Sequence, residues 1–209
     1  MTNPMTRRAF AAGALLTAAG ATKLAAQARP EWLSRLTPPQ QLGPFYPVSR
    51  MGEADADLTR LDGHDARAAG EVIEVFGRVL DRMGNPISNA KVELWQANTH
   101  GRYAHANDGN NEAPLDPHFQ GFADLRTDRD GEWRITTVRP GLYGGRPRHI
   151  HFDVQGLHTR LITQMYFPEE EGRKENDRGI TRLGDDASKL IAHKTDQAVY
   201  HWDIVLADP

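Results

Sequence analysis

Phe122-Ala123-Asp124-Leu125-Arg126-Thr127, then Asp128-Arg129-Asp130-Gly131, then Glu132-Trp133-Arg134-Ile135-Thr136-Thr137-Val138 reads as strand, turn, strand. Asp-Arg-Asp-Gly is a strong turn signal, and the runs on either side have strand composition. Working outward, residues 72–81 and 90–96 are strand-like on either side of a turn at Gly84-Asn85-Pro86. Residues 148–154, 161–167 and 202–206 complete the set. No long amphipathic helix interrupts them, and one weak helical segment covers residues 185–193. Short strands with turn punctuation predict an all-β chain folded as a β-sandwich. Residues 29–70, with Pro38-Pro39, read as an irregular N-terminal arm preceding the sandwich domain over 71–209. The polar stretch 104–121 reads as a long loop, and loops of that length in a compact domain often carry function.

Composition narrows the function classes. The chain has 209 residues, is 39% hydrophobic and 25% charged, and has a net charge of −3. That fits one globular domain, which at this size buries roughly 70% of its unfolded surface. With no cysteine, thiolate ligands and a cysteine nucleophile are excluded. The near-neutral charge gives no reason to expect a nucleic-acid partner. Thr6-Arg7-Arg8-Ala9-Phe10, the apolar run 11–26 and Ala26-Gln27-Ala28 read as a twin-arginine signal peptide over residues 1–28. The run is short and broken by Lys23, which argues against a membrane anchor. The expectation is an exported protein, periplasmic or extracellular, without stable membrane association.

Arg146-Pro147-Arg148-His149-Ile150-His151-Phe152 carries the chemistry. On a strand, His149 and His151 point to one face while Ile150 and Phe152 point to the other, into a core. Two adjacent imidazoles make half a metal site. Tyr103 and Tyr143 can supply the other half, and phenolate suits a hard trivalent ion better than zinc or copper(I). Asp153 shares the face of His151, so a ferrous site of two histidines and one carboxylate is the competing arrangement.

An ordered series of motifs carries a resemblance. They are Gly43-Pro44-Phe45-Tyr46, Val92-Glu93-Leu94-Trp95-Gln96-Ala97-Asn98, Gly101-Arg102-Tyr103 and Leu115-Asp116-Pro117, then Thr127-Asp128 with Asp130-Gly131. Arg139-Pro140-Gly141-x-Tyr143, Arg146-Pro147-x-His149-Ile150-His151-Phe152 and Ile162-Thr163-Gln164-x-Tyr166-Phe167 follow. The chain resembles the intradiol ring-cleavage dioxygenases, most of all their protocatechuate beta-chain branch. The resemblance implies a prealbumin-like β-sandwich holding non-haem Fe(III) through Tyr103, Tyr143, His149 and His151, with a hydroxide. Two phenolates and a hydroxide balance the charge of the ion. Tyr143 matches the tyrosine that dissociates on substrate binding, and Tyr103 the permanent one. Arg146 matches the arginine that stabilises negative charge on the substrate, and Gln164 a polar residue beside the ligands. The implied reaction binds a catechol as its dianion and admits dioxygen. It cleaves the ring between the two hydroxylated carbons and yields a cis,cis-muconate.

One departure stands out. The link Gly144-Gly145-Arg146-Pro147-Arg148 is much shorter than in the well-known protocatechuate and catechol enzymes, where it walls the substrate pocket. Gly141, Gly144 and Gly145 are expected to let Tyr143 move. The protocatechuate enzyme pairs this chain type with an alpha chain, so three arrangements are open: a related alpha-type partner, a homo-oligomer, or a chain that acts alone. The competing reading is a non-catalytic prealbumin-like binding module in which the tyrosines merely pack. His64, His100, His118, His158, His193 and His201 fall outside the motifs, and His105 stays unassigned. Tyr46, Tyr166 and Tyr200 read as packing residues, Trp95 and Phe152 as core.

Overall fold

The first long strand follows from strict alternation. In β1 (Val72–Leu80) Ile73, Val75, Gly77 and Val79 are buried, and the residues between them are more exposed. The structure, a computed structural model, describes residues 35–47, 52–170 and 177–209. The expected signal peptide lies outside the described residues. β1 pairs antiparallel with β4 (Glu132–Val138) in one sheet of the predicted sandwich, Val75 opposite Ile135. The other strands are β2 (Lys91–Trp95), β3 (Phe122–Arg126), β5 (His149–Gln155), β6 (Arg160–Tyr166), β7 (His193–Asp196), β8 (Val199–His201) and β9 (Ile204–Val205). One sheet runs β4-β1-β8-β7 with β9 also on β1, and the other runs β3-β2-β5-β6.

The core lies between the sheets. Ile73, Val75, Trp133 and Ile135 meet Val92, Leu94, Ile150, Phe152 and Met165. Ile150 and Phe152 are fully buried, as the His-x-His alternation requires. Truncating Phe152 to alanine would cost about 3–5 kcal/mol.

Three elements differ from the sequence reading. Residues 185–193 form no α-helix. A four-residue helix, α1 (Arg178–Thr181), precedes a 3-10 segment, Gly184–Leu190, and His193 already belongs to β7. Only Leu190 of that 3-10 segment is buried, so no apolar stripe holds a longer helix. The strand expected over 202–206 is shortened to β9, and β8 lies before it. Asp203 takes the Arg78 N–H on its carboxylate at 2.8 Å, replacing a ladder carbonyl and separating β8 from β9. β7 is the third difference. All four of its residues are exposed and none is apolar, so it carries no alternation signal.

The arm is irregular, but it is a cover rather than an appendage. Gln40 N–H donates to Ile162 O at 2.8 Å, Thr163 Oγ1 to Pro38 O at 2.8 Å, and Gln164 Nε2 to Gln41 O at 2.9 Å. These bonds lay residues 37–46 along the edge and outward face of the second sheet. That face of β5 is therefore as buried as its core face, and only Gln155 of the strand is not fully buried. The long loop is also ordered, since buried Asp108 accepts the Tyr103 N–H at 2.8 Å and Asn98 Nδ2 donates to Pro114 O at 2.9 Å.

Candidate metal centre

The covered face of β5 presents His149 and His151, 2% and 1% exposed, with ring centroids 4.9 Å apart. Trp95 sits opposite His151 in the β2–β5 register and stacks on its ring at 4.9 Å and 13°. Trp95 is thus buried as expected, but against the imidazole rather than between the sheets. On the other side Gly43, at φ 77°, presses close: a Cβ there would lie 3.1 Å from His151 Cε1. Only glycine both adopts this left-handed backbone readily and leaves the ring its place.

Two chain segments bring the tyrosines together, each carrying its tyrosine two residues after a glycine. Gly101 and Gly141 N–H groups both donate to Asn98 O, at 3.0 and 2.8 Å. A Cβ on Gly101 would lie 2.1 Å from Leu142 O, and one on Gly141 2.1 Å from Gly101 N. Gly141 therefore serves close backbone approach, not the mobility expected of it. Gly144 and Gly145, by contrast, stand in open space, where a Cβ on either would meet nothing within 4 Å. The crossing sets the Tyr103 and Tyr143 rings 5.2 Å apart, and Phe45 from the arm stacks on Tyr103 at 4.5 Å. Tyr143 Oη reaches His149 Nε2 at 3.0 Å.

The four groups thus converge, and their polar atoms are poised as donors. His149 Nδ1 lies 2.7 Å from the Pro147 carbonyl, which can only accept. The proton is therefore on Nδ1 and the lone pair on Nε2. Tyr103 Oη and both ring nitrogens of His151 are buried with no hydrogen-bond partner. Such orphaned atoms are costly, and a site built for an ion is one standard reason for them. Burial, and then the Arg146 charge, lowers His149 from 6.5 to about 3. Burial, then His149 and Arg146, holds His151 well below its ordinary range. Both imidazoles are therefore neutral, the state that binds metal. Burial and the adjacent Tyr143 push Tyr103 well above an ordinary phenol, so a nearby cation is what would ionise it. Two phenols and two neutral imidazoles fit a hard trivalent ion.

The competing carboxylate site is overturned. Asp153 is fully buried in a two-pronged ion pair with Arg160, at 2.9 Å from Nε and 2.6 Å from Nη2. Among the described residues no group of three or more His, Asp or Glu is arranged to hold a metal. His105 spends Nδ1 on the Asn107 N–H. Arg148 turns away to Glu170 at 2.5 Å.

Arg146 stands beside the four. Its Nη1 is 3.0 Å from His149 Nε2, its Nη2 donates to Gln164 Oε1 at 2.8 Å and Tyr166 Oη at 2.9 Å, and its Nε donates to Asp177 Oδ2 at 2.8 Å. Sequence reasoning misses Asp177 and Tyr166 as site residues. Tyr166 packs as expected, fully buried, but its hydroxyl also joins this network. For Tyr166 a signal exists. Gln164 and Tyr166 alternate on β6 as the histidines do on β5, and the register pairs His151 with Gln164 and His149 with Tyr166. Asp177 has no such cue, because it lies in a loop. Beside Arg146 a cleft of about 570 Å3 opens, bounded by Gln40, Gln41, Gly144, Gly145, Arg178 and Arg182.

A β-sandwich with two tyrosines and a His-x-His strand gathered on one covered face defines a class, and comparison with known proteins gives it a family. The family model described as "Dioxygenase" matches residues 42–208. The chain belongs to the intradiol ring-cleavage dioxygenases and is an enzyme of the protocatechuate 3,4-dioxygenase and catechol 1,2-dioxygenase type. It is 39% identical over 186 residues to the protocatechuate 3,4-dioxygenase beta chain of Burkholderia cepacia, covering 79% of this chain and 77% of that one. To the catechol 1,2-dioxygenase of Acinetobacter baylyi it is 31% identical over 153 residues, 64% of this chain but only 47% of that one. Among solved structures, the dioxygenase domain of a carbohydrate-binding fusion from Streptomyces sp. SirexAA-E superposes with a TM-score of 0.65 at 26% identity, covering 83% of this chain and 99% of that one. The reading as a non-catalytic binding module falls with this membership.

Proposed function

We propose that the enzyme is a non-haem ferric dioxygenase that cleaves catechols between their hydroxylated carbons to cis,cis-muconates. Tyr103, Tyr143, His149 and His151 would hold Fe(III). The observation that carries this is the buried, unpartnered Tyr103 hydroxyl and His151 nitrogens, facing Tyr143 and a lone pair on His149 Nε2. Ferric iron bound there would supply Lewis acidity toward a catecholate.

The chain's own groups do the rest. The Pro147 carbonyl fixes the tautomer and tilt of His149. Trp95 and Gly43 fix the His151 ring and exclude water from it. Tyr143, only half-buried, would be held as tyrosinate by the ion and is the group able to swing out and take a catechol proton on Oη, a general-base role. Arg146 Nη1 faces the same space and would donate to negative charge on the substrate, a contribution of ~3 kcal/mol for one well-placed donor. Gln164 holds the far side of that guanidinium. The purified protein should contain about one iron per chain and show a visible tyrosinate-to-iron band, and should turn catechol and dioxygen into a muconate absorbing in the ultraviolet. Stoichiometric zinc in active protein without that band would overturn the assignment.

Two further readings rest on sequence. Relatives named as beta and alpha chains support assembly with a second copy or with a related alpha-type chain, which light scattering on the purified chain tests. Arg7-Arg8 before a short apolar run supports twin-arginine export to the periplasm or beyond. Replacing both arginines with lysine should retain the folded enzyme in the cytoplasm, and normal export of that variant would contradict it.

A further inference from the structure

The donors of Arg146 are not equivalent. A guanidinium has five N–H groups in a rigid fork. Three are committed on one side: Nε to Asp177 Oδ2 at 2.8 Å, and Nη2 to Gln164 Oε1 at 2.8 Å and Tyr166 Oη at 2.9 Å. Only Nη1 turns toward the four converging side chains. Gln164 and Tyr166 are neutral, so among the described residues the only charged anchor of the fork is Asp177, whose side chain is 4% exposed. Its second oxygen is also engaged. Oδ1 accepts the Gly179 N–H at 2.7 Å and caps α1. One carboxylate thus ties the fork to a helix start, and both of its oxygens are held, so the fork has a single orientation. Arg146 is nonetheless 29% exposed at a cleft mouth. A long side chain so placed would otherwise sample several rotamers.

We propose that Asp177 is the positioning residue for Arg146: its carboxylate locks the guanidinium so that Nη1 alone is presented to the substrate. This rests on Arg146 acting on the substrate as argued above. Asp177 makes no hydrogen bond to any of the four converging residues; both of its oxygens are spent on Arg146 and Gly179.

The test separates this role from helix capping. Serine is a good cap but too short to reach Nε, so Asp177→Ser keeps α1 and frees the fork. On the iron-loaded enzyme with catechol, Asp177→Ser should lower kcat ~100-fold, the scale of a misplaced catalytic group. KM should change only a few-fold, and iron content and the resting visible band should not move. Asp177→Asn keeps an acceptor oxygen for Nε–H and should stay within about 10-fold of wild type. The decisive readout is chemical rescue. Millimolar guanidinium should restore turnover to Arg146→Ala, because Asp177 still marks the seat. It should fail to do so in Arg146→Ala combined with Asp177→Ser, or with Asp177→Ala if the serine chain does not fold. Wild-type kcat in Asp177→Ser, a lowered melting temperature with kcat intact, or equal rescue in both backgrounds would each overturn the proposal. Full activity in Arg146→Ala would instead overturn the role of Arg146, and this inference with it.

Discussion

Tyr103 and Tyr143 are the same residue type in different settings, and the difference predicts different phenotypes. Tyr103 is 3% exposed, stacked under Phe45, with no hydrogen-bond partner for its hydroxyl. Its ring has nowhere to go. Tyr143 is half-buried, bonded to His149 Nε2, and followed by two glycines with open space around them. Tyr103→Phe should therefore weaken iron retention and shift the visible band. Tyr143→Phe should keep more iron and lose ~100-fold or more in turnover, as removal of a general base does. Iron content by elemental analysis, with single-turnover rates, checks both. Equal and full activity in the two variants would show that neither hydroxyl serves the metal. The sequence already distinguishes the pair by their flanks, a bare Gly101-Arg102-Tyr103 against a glycine-rich Tyr143 segment. It does not reveal that Gly101 and Gly141 touch, because a close approach between distant segments has no local signature.

The short link between Tyr143 and β5 decides how the centre meets its substrate. Only Gly144 to Arg148 connect them, so apart from Arg146 this short segment offers little to wall the ring, and the space beside Arg146 is the broad cleft. A site that gives up packing around a ring discriminates weakly, since each missing methylene-sized contact is worth ~1–3 kcal/mol. Catechol, protocatechuate and bulkier 4-substituted catechols should all be cleaved, with kcat/KM values spread over no more than ~200-fold. A preference for protocatechuate of several orders of magnitude would contradict this and require a dedicated carboxylate pocket. The shortness of the link is legible in the sequence, as are β1, β4 and β5, because each has a buried face written in its alternation. The exposed β7 is not, and neither is the service of Trp95 to His151, which comes from the β2–β5 register. The arm reads as irregular, which it is. Its function as a lid over the outer face is hidden, because the bonds that dock it run through backbone carbonyls of Pro38 and Gln41, and any residue offers a carbonyl.

Covering that face places two imidazoles where they cannot be charged, and the consequence reaches the stability of the fold. The burial is that of the second sheet's outer face beneath the arm. His149 is lowered to about 3 from 6.5, chiefly by burial, and His151 is also held well below 6.5. In protein freed of metal both stay neutral when folded and take up a proton when unfolded. Below pH 6.5 the unfolded chain therefore binds more protons than the folded one, so stability falls as pH falls. Above 6.5 neither state is protonated and the effect vanishes. For His149 the loss accumulates down to about pH 3, where the folded form also begins to protonate. The slope is ~1.4 kcal/mol per pH unit for each imidazole. Urea unfolding of the metal-free protein at pH 7.5, 6 and 5 should show this decline. In a variant with His149→Asn and His151→Asn the slope should be smaller, by an amount that approaches twice that figure only at the acid end of the range. Parallel slopes in the two proteins would mean that the imidazoles are solvated and able to charge in the folded state, which would contradict the lid.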